Sequence, residues 1–136
     1  MKTFEEIQQK YLPIPYQLHG RNFDGCDCWG LVLLFYKEEL GKILLDLENK
    51  NFCADWYKKD NFFIENYHKQ WRQVEHSQEY DVCFFKNYEG FINHCGLIIK
   101  NNIVMQTTQK HGVTFLPLQR LKNKIVGFYR RNNDKN

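Results

Sequence analysis

Cys26 and Cys28 flank a single aspartate in GCDCWGLVLLFY, Gly25 to Tyr36, and an uninterrupted apolar stretch follows at once. Three chemistries suit such a pair: tight packing at a helix start, soft-metal ligation, or nucleophilic attack by a thiol. If Cys28 opens a helix, its sulfur sits among unpaired backbone N–H groups at the positive end of the helix dipole. Both effects stabilise thiolate over thiol. A thiolate nucleophile also needs a base within reach. The best-placed one is His94, at the head of the β-prone run HCGLII. The next run, IVMQTT, carries one amide, Gln106, among apolar residues.

His94 and Gln106 can cooperate only in one hairpin register. A three-residue loop, Lys100, Asn101 and Asn102, with Asn102 in the left-handed conformation, pairs Ile99 with Ile103, Ile98 with Val104, and Gly96 with Gln106. His94, Gly96 and Gln106 then share one face, while Cys95, Leu97, Ile99, Ile103 and Met105 fill the other. Gly96 opposite Gln106 is expected to leave open space beside His94. A two-residue turn would send Gln106 to the wrong face. Parity thus supports a nucleophile, a base and an orienting amide, without proving them.

The elements that must position these residues are legible at both ends of the chain. Thr3 and Glu6 have capping-box spacing, and Phe4, Ile7 and Tyr11 fall on one helical face. The prolines of LPIP stop that helix. A loop over 16–27 leads to a helix from about Cys28 to Leu40, with Gly41 as its C-cap. Residues 46–76 show weak helical spacing around Phe63, Tyr67 and Trp71, and Trp56 and Trp71 are set as cleft-lining aromatics. From Asp81 onward, DVCFFK, HCGLII, IVMQTT, GVTFLPL and IVGFYRR read as short strands at roughly ten-residue spacing. Helices followed by antiparallel strands predict one α+β domain over residues 1–136, its helices packed on a sheet of five or more strands.

Composition narrows the function. With 43% hydrophobic and 16% aromatic residues, 136 residues can bury a core, which argues against disorder. A net charge of +3 without a dense Lys/Arg stripe does not call for nucleic acid. The longest apolar run, Leu31 to Tyr36, is too short to span a bilayer. MKTFEEIQQKY has acidic residues where a secretion signal needs an apolar core, so synthesis in the cytoplasm without a Sec signal is expected. Five cysteines at irregular spacing argue against a disulfide-stapled scaffold and for a reducing site of synthesis.

YQLHGRNFDGCDCWGLV resembles the signature of the NlpC family of papain-like cysteine peptidases, which carry a tyrosine, a glycine pair and Asp-Cys-Ser-Gly opening a helix. Tyr16 precedes Cys28 by twelve residues, Gly20 takes the second glycine place, and His19 stands at the first. YDVCFF resembles the family's Gly-Asp-hydrophobic strand, with Tyr80 at the glycine. HCGLIIKNNIVMQ is similar to its His-x-Gly hairpin, ending with Gln106 at the third catalytic place. The resemblance implies a papain-like NlpC fold, Cys28 as nucleophile, His94 as base and Gln106 as its orienting partner, with no cofactor or metal. It further implies that the Cys28 N–H meets the oxyanion, that Tyr16 approaches the substrate, and that Asp27 holds the loop or meets a substrate amine. Trp29, in place of serine after the cysteine, looks like the phage tail-assembly branch. It is placed with Tyr16 and Asp27 on the substrate side, while its helical position, like those of Phe35 and Tyr36, is expected in the core. The implied substrate is the peptidoglycan stem peptide, cut between γ-D-glutamate and a diamino acid, with phage tail proteins as further partners.

Three rival readings stand beside this one. A zinc site from Cys26, Cys28, His94 and Cys95 is disfavoured, because adjacent strand residues point to opposite faces. A non-catalytic peptidoglycan-binding or structural tail component would not need an activated thiol. An amidase, acyltransferase or toxin would keep the cysteine chemistry and change the substrate. Of the other histidines (19, 68, 76 and 111), only His111 is a substitute for Gln106.

Overall fold

The computed structural model describes residues 2–44, 71–86, 90 and 92–132 of the chain. The first helix, α1 (Phe4–Tyr11), has the expected reciprocal cap: Thr3 Oγ1 accepts the Glu6 N–H, and the Glu6 carboxylate accepts the Thr3 N–H. Ile7 and Tyr11 are its buried face. The Tyr11 hydroxyl donates to Glu39 at 2.6 Å, and Lys10 meets the same carboxylate at 2.7 Å. A short hairpin, β1 (Arg21–Asn22) and β2 (Gly25–Cys26), then delivers the chain to α2 (Cys28–Leu40).

Local signals set both ends of α2. The Asp27 carboxylate caps its start by accepting the Gly30 N–H, and Gly41 ends it in the left-handed conformation, φ 64°. Between them Trp29, Leu31, Val32, Leu34, Phe35 and Tyr36 are buried, so the helix is apolar almost all round and lies in the interior.

Six antiparallel strands form the sheet: β3 (Trp71–Val74), β4 (Val82–Lys86), β5 (Ile92–Ile98), β6 (Ile103–Thr108), β7 (Gly112–Pro117) and β8 (Ile125–Arg131), in the order β3-β8-β4-β5-β6-β7. Alternation divides its faces. Val82, Phe84, Cys95, Leu97, Ile99 and Met105 join α2 in the main core. Cys83, Phe85, Ile98 and Val104 form a smaller cluster on the opposite face, against Leu118, Leu121, Ile125 and Phe128.

β3 corrects the sequence reading. Trp71 does not belong to a helical repeat; it starts a strand paired with β8, Trp71 opposite Arg131. Nor does it line a cleft, being 3% exposed in the core. The weak spacing around Phe63 and Tyr67, and Trp56, lie outside the described residues. No described helix is long and apolar enough to cross a membrane.

Candidate active site

The site begins with the loop ahead of α2. Gly20 lies against Gly25, where an added Cβ would stand 2.2 Å from the Gly25 carbonyl oxygen. Gly30 is pressed by the same loop, its would-be Cβ 2.0 Å from the Gly20 carbonyl oxygen. Only glycine permits this approach at either place. His19 occupies the left-handed region with φ 67°, so the loop keeps a glycine-like backbone without a glycine there. Its N–H donates to Asp27 Oδ2 at 2.9 Å. Asp27 Oδ1 accepts from Gly30 N–H and from Arg21 Nη1, each at 2.8 Å. Asp27 is fully buried. Of the two roles open to it, holding the loop is the one these contacts provide.

Cys28 is the first residue of α2, as the sequence predicts, and is 1% exposed. It is disulfide-bonded, which the irregular cysteine spacing did not anticipate. Cys26, Cys83 and Cys95 are free and buried, and Cys53 lies outside the described residues. Burial pushes the Cys26 and Cys83 thiols up to about 12, and Cys95 well above the usual thiol range, which leaves them inert as nucleophiles near neutral pH.

The hairpin has the expected register. Ile98 pairs with Val104 and Leu97 with Met105, the Ile99 N–H donates to the Ile103 carbonyl, and Asn102 is left-handed at φ 58°. His94 Nε2 and Gln106 Oε1 are 2.8 Å apart. An amide oxygen only accepts, so Nε2 carries the proton and the neutral ring keeps its lone pair on Nδ1. Burial lowers the His94 pKa below the ordinary histidine value; the Gln106 bond opposes this and the Lys124 charge adds to it. A neutral imidazole fixed in the Nε2–H tautomer is a base through Nδ1 at neutral pH.

The expected open space beside His94 is not there. Phe85 is directly across from His94 on β4, their rings 5.1 Å apart. A Cβ on Gly96 would meet Val104 at 2.9 Å and the Phe85 ring at 3.3 Å. Parity identifies the face, but the neighbouring strand decides what fills it. Cys95 and His94 do leave opposite faces: Cys95 joins the α2 core, and His94 packs on Phe85.

Two of the three predicted catalytic residues are therefore joined by a hydrogen bond. Cys28 sits on the helix that packs against the other face of the sheet, among Cys95 and Leu97. Tyr16 is half-buried and bridges Cys26; burial, then the Asp27 charge, raise its pKa. Trp29, which the sequence places both among the core aromatics and on the substrate side, is 1% exposed in the core, because α2 turns that position inward. His111 is exposed in the β6–β7 turn, and Gln106 holds the place beside His94. Arg21 and Phe85 were not singled out from sequence. The signal for Arg21 was a cation six residues ahead of an aspartate at a helix start.

The sequence model of the NlpC/P60 family matches residues 14–130, most of the chain. The chain belongs to the NlpC/P60 family. Its fold is similar to the NlpC/P60 domain of the peptidoglycan hydrolase SagA, with 13% identity, TM-score 0.59 and 93% of each chain covered. An NlpC/P60 family protein from Bacillus cereus matches at 19% identity and TM-score 0.63, and a lipoprotein-like NLP/P60 family protein from Staphylococcus aureus at 17% and 0.58. Each match covers 93% of this chain, but only 38% and 39% of those longer proteins. A search of curated proteins finds no match.

Proposed function

We propose that the protein is a cysteine peptidase that hydrolyses the peptidoglycan stem peptide between γ-D-glutamate and a diamino acid, meso-diaminopimelate or lysine. The observation that carries this reading is the His94–Gln106 bond, in an NlpC/P60 chain whose Cys28 opens a helix.

An external thiol reductant must first open the Cys28 disulfide by exchange, because the thiolate and not a disulfide sulfur is the nucleophile for acyl attack. The freed Cys28 loses its proton to His94 Nδ1 and attacks the amide carbonyl. The developing oxyanion is met by the Cys28 backbone N–H. As the C–N bond breaks, the imidazolium gives its proton to the leaving amine, and a thioester remains on Cys28. His94 then takes a proton from water, which attacks the thioester and restores the thiol. Gln106 holds the ring throughout and transfers no proton. The Tyr16 hydroxyl approaches the substrate from the loop.

A phage or prophage tail role, with other tail proteins as partners and delivery to the cell wall by a route other than Sec, completes the proposal. It rests on Trp29 in the place of the commoner serine. The test is mass spectrometry of muropeptides incubated with reduced protein. Release of the fragment pair from the γ-D-glutamyl bond, lost in Cys28→Ala and His94→Ala, is expected. Binding without cleavage by the reduced protein would replace the peptidase with a peptidoglycan-binding module.

A further inference from the structure

Asp27 presents an electrostatic problem to the residue beside it. A fully buried carboxylate adjoins Cys28 in the chain, and a negative charge at that distance disfavours a thiolate. Yet the cap needs the carboxylate, which accepts from both Gly30 and His19 backbone N–H groups. Arg21 answers it. Its Nη1 donates at 2.8 Å to Asp27 Oδ1 and at 2.8 Å to the Gly20 carbonyl, with the side chain 17% exposed. The absent side chain at Gly30 makes the room, since a Cβ there would stand 3.0 Å from that nitrogen.

We propose that Arg21 is a positioning residue for Cys28: it fixes the Asp27 cap at the mouth of α2 and cancels the carboxylate's charge beside the sulfur. The inference rests on the reading of Cys28 as the nucleophile. Two neighbouring thiols already register both charges, in opposite senses. At Cys26 and at Cys95 the Asp27 charge raises the pKa and the Arg21 charge lowers it, each behind the larger effect of burial. Cys28 is covalently next to Asp27 and sits in the same core. A second consequence is that Asp27, with both oxygens engaged inside the protein, is not available to a substrate ammonium group.

The test follows iodoacetamide labelling of Cys28 against pH in the reduced full chain, read by peptide mass spectrometry. Arg21→Gln is expected to move the labelling midpoint up by about one pH unit, and Arg21→Lys to restore most of the shift. The double variant Arg21→Gln/Asp27→Asn removes both charges and keeps an acceptor at the cap. Its midpoint is expected to return towards wild type. A midpoint that Arg21→Gln leaves in place overturns the proposal. So does a double variant as impaired as the single one, because the role would then be structural and not electrostatic. Should Arg21→Gln fail to fold, Asp27→Asn alone decides it: with the carboxylate gone and Arg21 kept, the midpoint is expected below that of the double variant, and equal midpoints overturn the proposal. If wild-type Cys28 itself labels like an ordinary thiol, the nucleophile reading falls, an outcome distinct from an unmoved Arg21 variant.

Discussion

Asp27, at the start of α2, and Asp81, just ahead of β4, occupy matching surroundings. Each is buried, each is met by an arginine at 2.8 Å, and each turn holds a left-handed non-glycine residue: His19 at φ 67° and Tyr80 at φ 75°. The difference is in what supports the turn. Tyr80 is tied from three directions: its N–H donates to the Ile98 carbonyl at 2.6 Å, its carbonyl accepts the Tyr36 hydroxyl, and its ring packs on Phe35 at 5.7 Å. Arg130 grips both oxygens of Asp81, joining β8 to the start of β4. His19 is exposed, and its N–H reaches the Asp27 carboxylate. One aspartate ties strands together; the other shapes a loop around a single sulfur. The same ion pair can therefore serve the fold in one place and the site in the other.

The largest effect that separates them is on stability. Asp81→Ala leaves the Arg130 guanidinium without its carboxylate and is expected to cost about 3 kcal/mol in urea denaturation. The labelling of reduced Cys28 should stay unchanged. A shift in that labelling would erase the division between the two pairs. Next come the left-handed residues, which should respond to different extents. Tyr80→Gly relieves backbone strain but removes the ring from Phe35, for a net loss of about 2 kcal/mol. His19→Gly keeps the N–H to Asp27 and relieves strain at an exposed position, so it should cost less, by about 1 kcal/mol or more. Equal shifts in the thermal melts of the two variants would contradict the contrast.

The smallest effect is on pH dependence. Because burial lowers the His94 pKa, the folded protein prefers the neutral ring. The corresponding stability is whole above the unfolded histidine value of about 6.5 and is lost as pH falls through the lowered folded value. Denaturation at neutral and mildly acidic pH should show wild type losing more stability than His94→Gln over that interval. Equal losses would mean that the ring is hydrated and its pKa ordinary.

How far the sequence could be read follows the range of each signal. The limits of α2 are set by Asp27 and Gly41, both within one turn of the helix ends, and these were legible. The β5–β6 register depends on a three-residue turn and one left-handed asparagine, and the His94–Gln106 pairing followed from it. What escaped depends on distant partners. β3 pairs with a strand sixty residues away, Trp71 with Arg131, and no local periodicity encodes that. Phe85 fills the space beside His94 because of the β4–β5 register, which no short turn among the described residues sets. Trp29 was assigned by its neighbour in the motif, whereas the helical turn carried it into the core.

The proposed peptidase stands or falls on Cys28 and His94 working as nucleophile and base. The most direct measurement is the rate of Cys28 alkylation in reduced protein at mildly acidic pH, compared between wild type and His94→Ala. Fast labelling is expected in wild type, because the imidazole takes the thiol proton, and slow labelling of ordinary thiol character in the variant. Equal rates in the two proteins would contradict it.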